Sequence, residues 1–205
     1  GVPLDGGGMS RATLHRPARG EASSAARAVV AVVDRTSSDA FRVDGTESIS
    51  ALPARTAQWL LVQPVVEDVR DPTRTVARLA AATGWLRELS ESKEVVCSGW
   101  AAAANAVFRL ALESPEGLQE VRLVVGPSFD PWPGIDPARR RQLVATSSAP
   151  PIRVAFRGEP DERALRVVDA WREAGLEIAT VTLTDDRDVD VFLAGGEFVD
   201  QRDNQ

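Results

Sequence analysis

Six short apolar runs, separated by stretches with helical spacing, constrain this chain more than any other feature. They are "RAVVAVVD" (27–34), "WLLVQPVV" (59–66), "EVVCS" (94–98), "EVRLVVG" (120–126), "IRVAFRG" (152–158) and "LEIATVTLT" (176–184). A strand with one wet face alternates apolar and polar residues, whereas a strand covered on both faces reads as a nearly continuous apolar run. Between the second and third runs, Val76, Leu79, Thr83, Leu86 and Leu89 recur at spacings of three and four, which lays one stripe along a helix. Asp71 is placed to cap that helix and Pro72 to sit in its first turn. "AAAANAVFRLALES" predicts a second helix, closed by Pro115 and Gly117. "PDERALRVVDAWREAG" predicts a third, with Leu165, Val168 and Trp171 on one face and Gly175 at its end. "VDVFLAGGEFV" (189–199) is expected to add a seventh strand. Strand and helix alternating at this spacing imply right-handed crossovers. The expected fold class is therefore α/β, a mostly parallel doubly wound sheet with helices on both faces.

Composition bounds the rest. A chain of 205 residues, 43% of them hydrophobic, suits one domain with a real core. The net charge of -6 gives no reason to expect nucleic acid or an anionic membrane as partner. No apolar run approaches the roughly 20 residues that span a bilayer. The single cysteine, Cys97, excludes an intrachain disulfide and a thiolate zinc cluster, and favours the cytoplasm. Residues 1–26 are rich in Gly, Arg, Ser and Ala without a hydrophobic period, and read as a flexible leader. Residues 27–199 read as a single α/β domain and 200–205 as a polar tail. The lack of tyrosine and abundance of Ala, Arg and Val look like the mutational bias of a high-GC bacterial genome.

"EVVCSGWAAAANAVFRLAL" (94–112) reads as strand, tight turn and helix. From about Ala28 to Thr184 this order of elements resembles the α/β-hydrolase fold, in its esterase and peptidase-like branch, with a short or absent lid. That family mounts its nucleophile on an elbow of the form small–x–nucleophile–x–small. Aligning the helix start lays Ser98, Gly99, Trp100, Ala101 and Ala102 on the pattern, which puts an indole where the nucleophile belongs. The resemblance places the triad acid at Asp161, in "GEPD", and the histidine base after "VTLT", where this chain has "DDRDVDV". The one histidine, His15, lies in the leader. Without a base to take the hydroxyl proton, the usual triad hydrolysis is unavailable. The resemblance thus implies a degenerate member lacking the triad. Weaker catalytic candidates are Cys97 and Ser98, each with a bulky residue where a small one is needed.

Trp100 is expected either to plug a disused pocket or to wall a binding site. Phe129 and Trp132, in "SFDPWPGIDP", are expected either to tuck onto the core or to form a contact surface. Asp185, Asp186, Asp188 and Asp190 offer oxygen ligands but match no metal loop. "LAGGEF" matches no phosphate-binding motif, and "ARRRQL" reads as a solvated helix face. No metal or cofactor is expected. The leading expectation is a catalytically inactive domain that binds a protein partner or small ligand at the carboxyl-end rim, through Trp100, Phe129, Trp132 and Asp161. Another chain or a second copy is expected to cover the exposed sheet edge. The alternatives are a hydrolase using Cys97 or Ser98, and a nucleotide- or metal-dependent enzyme on a Rossmann-like sheet.

Overall fold

The apolar runs become strands because nothing else hides so many branched side chains at once. A computed structural model describes residues 2–3, 9–10, 13–15, 28–34, 59–65, 72–100, 102–126, 129, 132, 136–160 and 162–195. Val2–Pro3 (β1) pairs antiparallel with Met9–Ser10 (β2) in a small ribbon. The main sheet is built from Thr13–His15 (β3), Ala28–Asp34 (β4), Trp59–Val65 (β5), Val95–Trp100 (β6), Leu118–Val125 (β7), Ile152–Arg157 (β8) and Ile178–Leu183 (β9). Its order is β3-β5-β4-β6-β7-β8-β9. Every neighbouring pair from β5 to β9 is parallel, and β3 alone runs antiparallel, against β5.

Five described helices connect or follow these strands: Pro72–Ser90 (α1), Ala102–Glu113 (α2), Pro137–Thr146 (α3), Glu162–Glu173 (α4) and Asp186–Leu193 (α5). The predicted stripe of α1 is buried at Val76, Leu79, Thr83 and Leu86. Asp71, its expected cap, lies outside the described residues. Helix α3 is capped by Asp136, whose carboxylate accepts from the backbone of Ala138 and Arg139. Those bonds, that from Arg139 foremost, hold the Asp136 carboxyl below its ordinary value.

The period-two alternation of each strand divides the core into two layers. On one face Val30, Val95, Cys97, Val121, Leu123 and Val154 pack beneath α1, α2 and α4. On the other, Val124, Ala155 and Leu183 pack beneath Val189, Phe192 and Leu193 of α5, while Val29, Ala31 and Val96 form a smaller cluster. Among the described residues no helix is long and apolar enough to cross a membrane.

Two expectations are corrected here. Residues 13–15, inside the supposed leader, are a strand of the main sheet, with Leu14 opposite Leu61. Three residues are too few to carry a hydrophobic period. The expected seventh strand at 189–199 is instead helical as far as Leu193. Asp185 caps that helix, accepting from the backbone N–H of Asp188 at 2.8 Å. Val189, Phe192 and Leu193, spaced by three and four, give it one buried face. Gly195, at φ 82°, closes it and donates to the Phe192 carbonyl. Residues 196–199 lie outside the described set.

Candidate functional site

The strand–turn–helix at β6 and α2 is positioned by Gly99. A Cβ added there would lie 2.9 Å from the Ala103 carbonyl oxygen, 2.9 Å from Val107 Cγ2 and 3.0 Å from Ala104 Cα. The helix therefore rests directly on the strand backbone, and only glycine permits that approach. Trp100 is still part of β6, paired with Val124 of β7, and α2 begins at Ala102. Ala101, which separates strand from helix in the sequence, lies outside the described residues. Trp100 is half-buried and packs on the cluster formed by Val124, Ala155, Leu183, Val189, Phe192 and Leu193.

The two nearby nucleophile candidates are both withdrawn into the sheet. Cys97 is fully buried on the α1/α2 face, and burial pushes its thiol up from 9.0 to about 12. A thiol held protonated at neutral pH does not attack carbonyls. Ser98, on the opposite face, is also fully buried, and its hydroxyl donates to the Leu193 carbonyl at 2.5 Å. That bond ties the end of α5 to the sheet.

A second tie was not anticipated from sequence. Arg122, on β7, is 1% exposed. Its Nη1 donates to the Phe192 carbonyl at 3.2 Å, its guanidinium lies over the Phe192 ring, and its Nε donates to Glu120. Glu120 also holds Arg153, at 3.2 Å. A clue was present in "EVR": two opposite charges at i and i+2 inside an apolar strand share one face, and there they pair. The acidic turn before α5 is likewise occupied by its own backbone. Asp188 accepts from the Thr184 N–H at 3.0 Å and from its hydroxyl at 2.6 Å, while Asp185 caps the helix. Among the described residues there is no cluster of side chains suited to hold a metal ion.

Phe129 and Trp132 sit with the main core, not with Trp100. Phe108 of α2 stacks on Trp171 of α4 at 4.2 Å between ring centroids, and Phe129 and Trp132 meet Phe108 edge-on at 6.3 and 5.6 Å. Trp132 is buried and Phe129 half-buried. The described contacts thus place Trp100 on one face of the sheet and the two loop aromatics on the other. Asp161 lies outside the described residues. An apolar cavity of about 20 Å³, bounded by Val125, Phe129, Val154, Val168 and Trp171, opens beside Arg163. It is large enough for about one water molecule.

Sequence comparison finds no matching family model and no matching curated protein. Comparison of structures does find relatives. Esterase PE8 is similar over 92% of this chain and 98% of its own, at 11% identity and a TM-score of 0.56. Est1E from Butyrivibrio proteoclasticus is similar over 83% of this chain and 82% of its own, at 11% identity and a TM-score of 0.56. An alpha/beta hydrolase from Sphaerobacter thermophilus is similar over 90% and 92%, at 12% identity and a TM-score of 0.53. The chain has the α/β-hydrolase fold.

In enzymes of the α/β-hydrolase fold the strand-to-helix bend carries the nucleophile; the last residue of the corresponding strand here is Trp100. The base is expected after β9, where this chain spends Thr184, Asp185 and Asp188 on starting α5. His15 is far from both. Its backbone lies opposite Leu60, in register with Val29 and then Val96. Three strand spacings separate it from β6, roughly 14 Å at about 4.8 Å each. It also stands four residues short of the carboxyl end at Trp100.

Proposed function

We propose that this chain is a catalytically silent α/β-hydrolase-fold module that acts by binding or assembly. The observation that carries this reading is the elbow. The strand ends on the indole of Trp100 rather than on a nucleophile, and the neighbouring Ser98 hydroxyl is committed to the Leu193 carbonyl inside the sheet. The backbone of the lone histidine, His15, belongs to β3, three strand positions from β6. Acyl transfer needs a nucleophile, a base in reach of it and room for the acyl group. Trp100 fills part of that room with an apolar ring on an apolar bed. The partner is a protein surface or a small ligand met at the carboxyl-end rim of the sheet.

The second reading, a hydrolase, is favoured by the structural relatives, which include esterases. It requires Cys97 or Ser98 to leave the core during turnover. The two readings separate cleanly. Purified protein offered a panel of short acyl esters, and a fluorophosphonate probe for activated serines, is expected to give no turnover and no labelling. Trp100→Ser is expected to remain inert as well, since a hydroxyl at that position still lacks its base. Turnover by the unmodified protein that is abolished by Ser98→Ala or Cys97→Ala would overthrow the proposal.

A further inference from the structure

Strand β9 ends the sheet among the described residues, and it is an unusual edge. Edge strands are commonly blunted by charge, proline or a bulge. Ile178–Leu183 has none of these: its sequence is "IATVTL", and its register with β8 runs without a break from Ile152↔Ile178 to Arg157↔Leu183. The direction of its backbone groups follows from the bonds it makes. The Glu177 carbonyl accepts from Ile152 N–H at 2.9 Å and the Leu183 carbonyl from Gly158 N–H at 3.0 Å. Odd-numbered residues of the strand therefore face β8, and Ile178, Thr180, Thr182 and Thr184 turn their N–H and C=O groups outward.

Two of those outward groups are already satisfied. Arg172 of α4 donates through Nε to the Ile178 carbonyl at 3.0 Å, and Asp188 of α5 accepts from the Thr184 N–H at 3.0 Å. These two sites bracket a short window, Thr180–Val181–Thr182, that reads the same in both directions. An antiparallel strand centred on Val181 places residue 180 opposite 182 and residue 178 opposite 184. Under that register the Ile178 carbonyl and the opposing Thr184 N–H would bond each other, and they are the pair that Arg172 and Asp188 have taken. Each end thus sets an arginine against an aspartate, while the centre keeps matched donors and acceptors.

From this we infer that β9 pairs with β9 of a second copy of the chain about a two-fold axis through Val181, joining the two sheets into one. Thr180 and the partner's Thr182 exchange two backbone hydrogen bonds on either side of the axis. Val181 meets the partner's Val181 as a close, non-hydrogen-bonded pair. Arg172 faces the partner's Asp188 at each end of the window. Such an isologous contact needs the same patch to complement itself, and the palindromic, uncharged window with opposite charges at its ends meets that requirement. The inference goes beyond the proposed function and stands whether or not the rim is silent.

The full chain should run as a dimer, twice 22.0 kDa, by light scattering across a dilution series. Its Thr180 and Thr182 amides should resist hydrogen exchange. Val181→Cys should give a disulfide-linked dimer on mild oxidation, because close antiparallel pairs fall within disulfide reach and Cys97 is buried away from the edge. Thr182→Pro removes an outward N–H without touching the β8 ladder, and Thr182→Lys adds a charge to the window. Both should yield monomers with unaltered circular dichroism. A monomer at every concentration overturns the inference, including one whose Thr180 and Thr182 amides are protected by another segment of the same chain. So does a dimer that survives Thr182→Lys, or one in which Val181→Cys fails to cross-link.

Discussion

At Gly99 the absence of one carbon decides where a helix can lie. Its missing Cβ lets Ala103 and Val107 approach the strand to within 2.9 Å of where that atom would be. Gly99→Ala forces strand and helix apart, and overpacking of this kind costs about 1–3 kcal/mol. Denaturant unfolding should register a loss in that range with secondary structure retained. The string "SGWAAAA" puts small residues at almost every elbow position, so spacing lays Trp100 on the pattern without revealing which small residue touches the helix. That Gly99 does is three-dimensional information. Two positions earlier, Cys97 offers a second test. Its thiol, raised by burial from 9.0 to about 12, is bound more tightly by a proton in the folded state than in the unfolded. Its contribution to stability is complete below pH 9 and declines as pH climbs toward 12. At pH 8 a thiol reagent should label the native protein only as fast as it unfolds, and adding denaturant should release rapid labelling.

Helix α5 depends on groups outside itself. It spans only Asp186–Leu193, too short to persist alone, and its last carbonyls are held from the sheet by Arg122 and Ser98. Arg122→Ala would leave Glu120 facing a vacated site and release the Phe192 carbonyl. Glu120 keeps Arg153, so the main loss is the donor to a buried carbonyl, which costs about 1–3 kcal/mol, and the midpoint of chemical unfolding should fall accordingly. Amides of Val189 to Leu193 should lose exchange protection first. The sequence of this element misleads because "VDVF" alternates apolar and acidic residues, the signature of a strand. The cap at Asp185 and the three–four spacing of Val189, Phe192 and Leu193 override it once the chain is packed. By contrast, α1 and α4 were legible throughout, since their stripes extend over several turns.

For the molecule as a whole, the alternation of apolar runs and helices revealed a layered parallel sheet, but not the order of its strands. That order depends on which crossovers pass over which neighbours, and it appears in pairings such as Ala31↔Ser98 and Val124↔Ala155. Strand β3 escaped notice for a different reason: Thr13–His15 has no period to detect and gains its shape only from β5. Its small size has an effect at the scale of assembly. Among the described residues one flank of the sheet is the three-residue β3, which offers little to a newcomer, and the other is the six-residue β9. Joining two molecules through β9 would consume the longer of the two flanks found among the described residues. A two-fold contact of that kind would use up the flank in one closed step, where the same backbone stickiness threads other proteins into fibres.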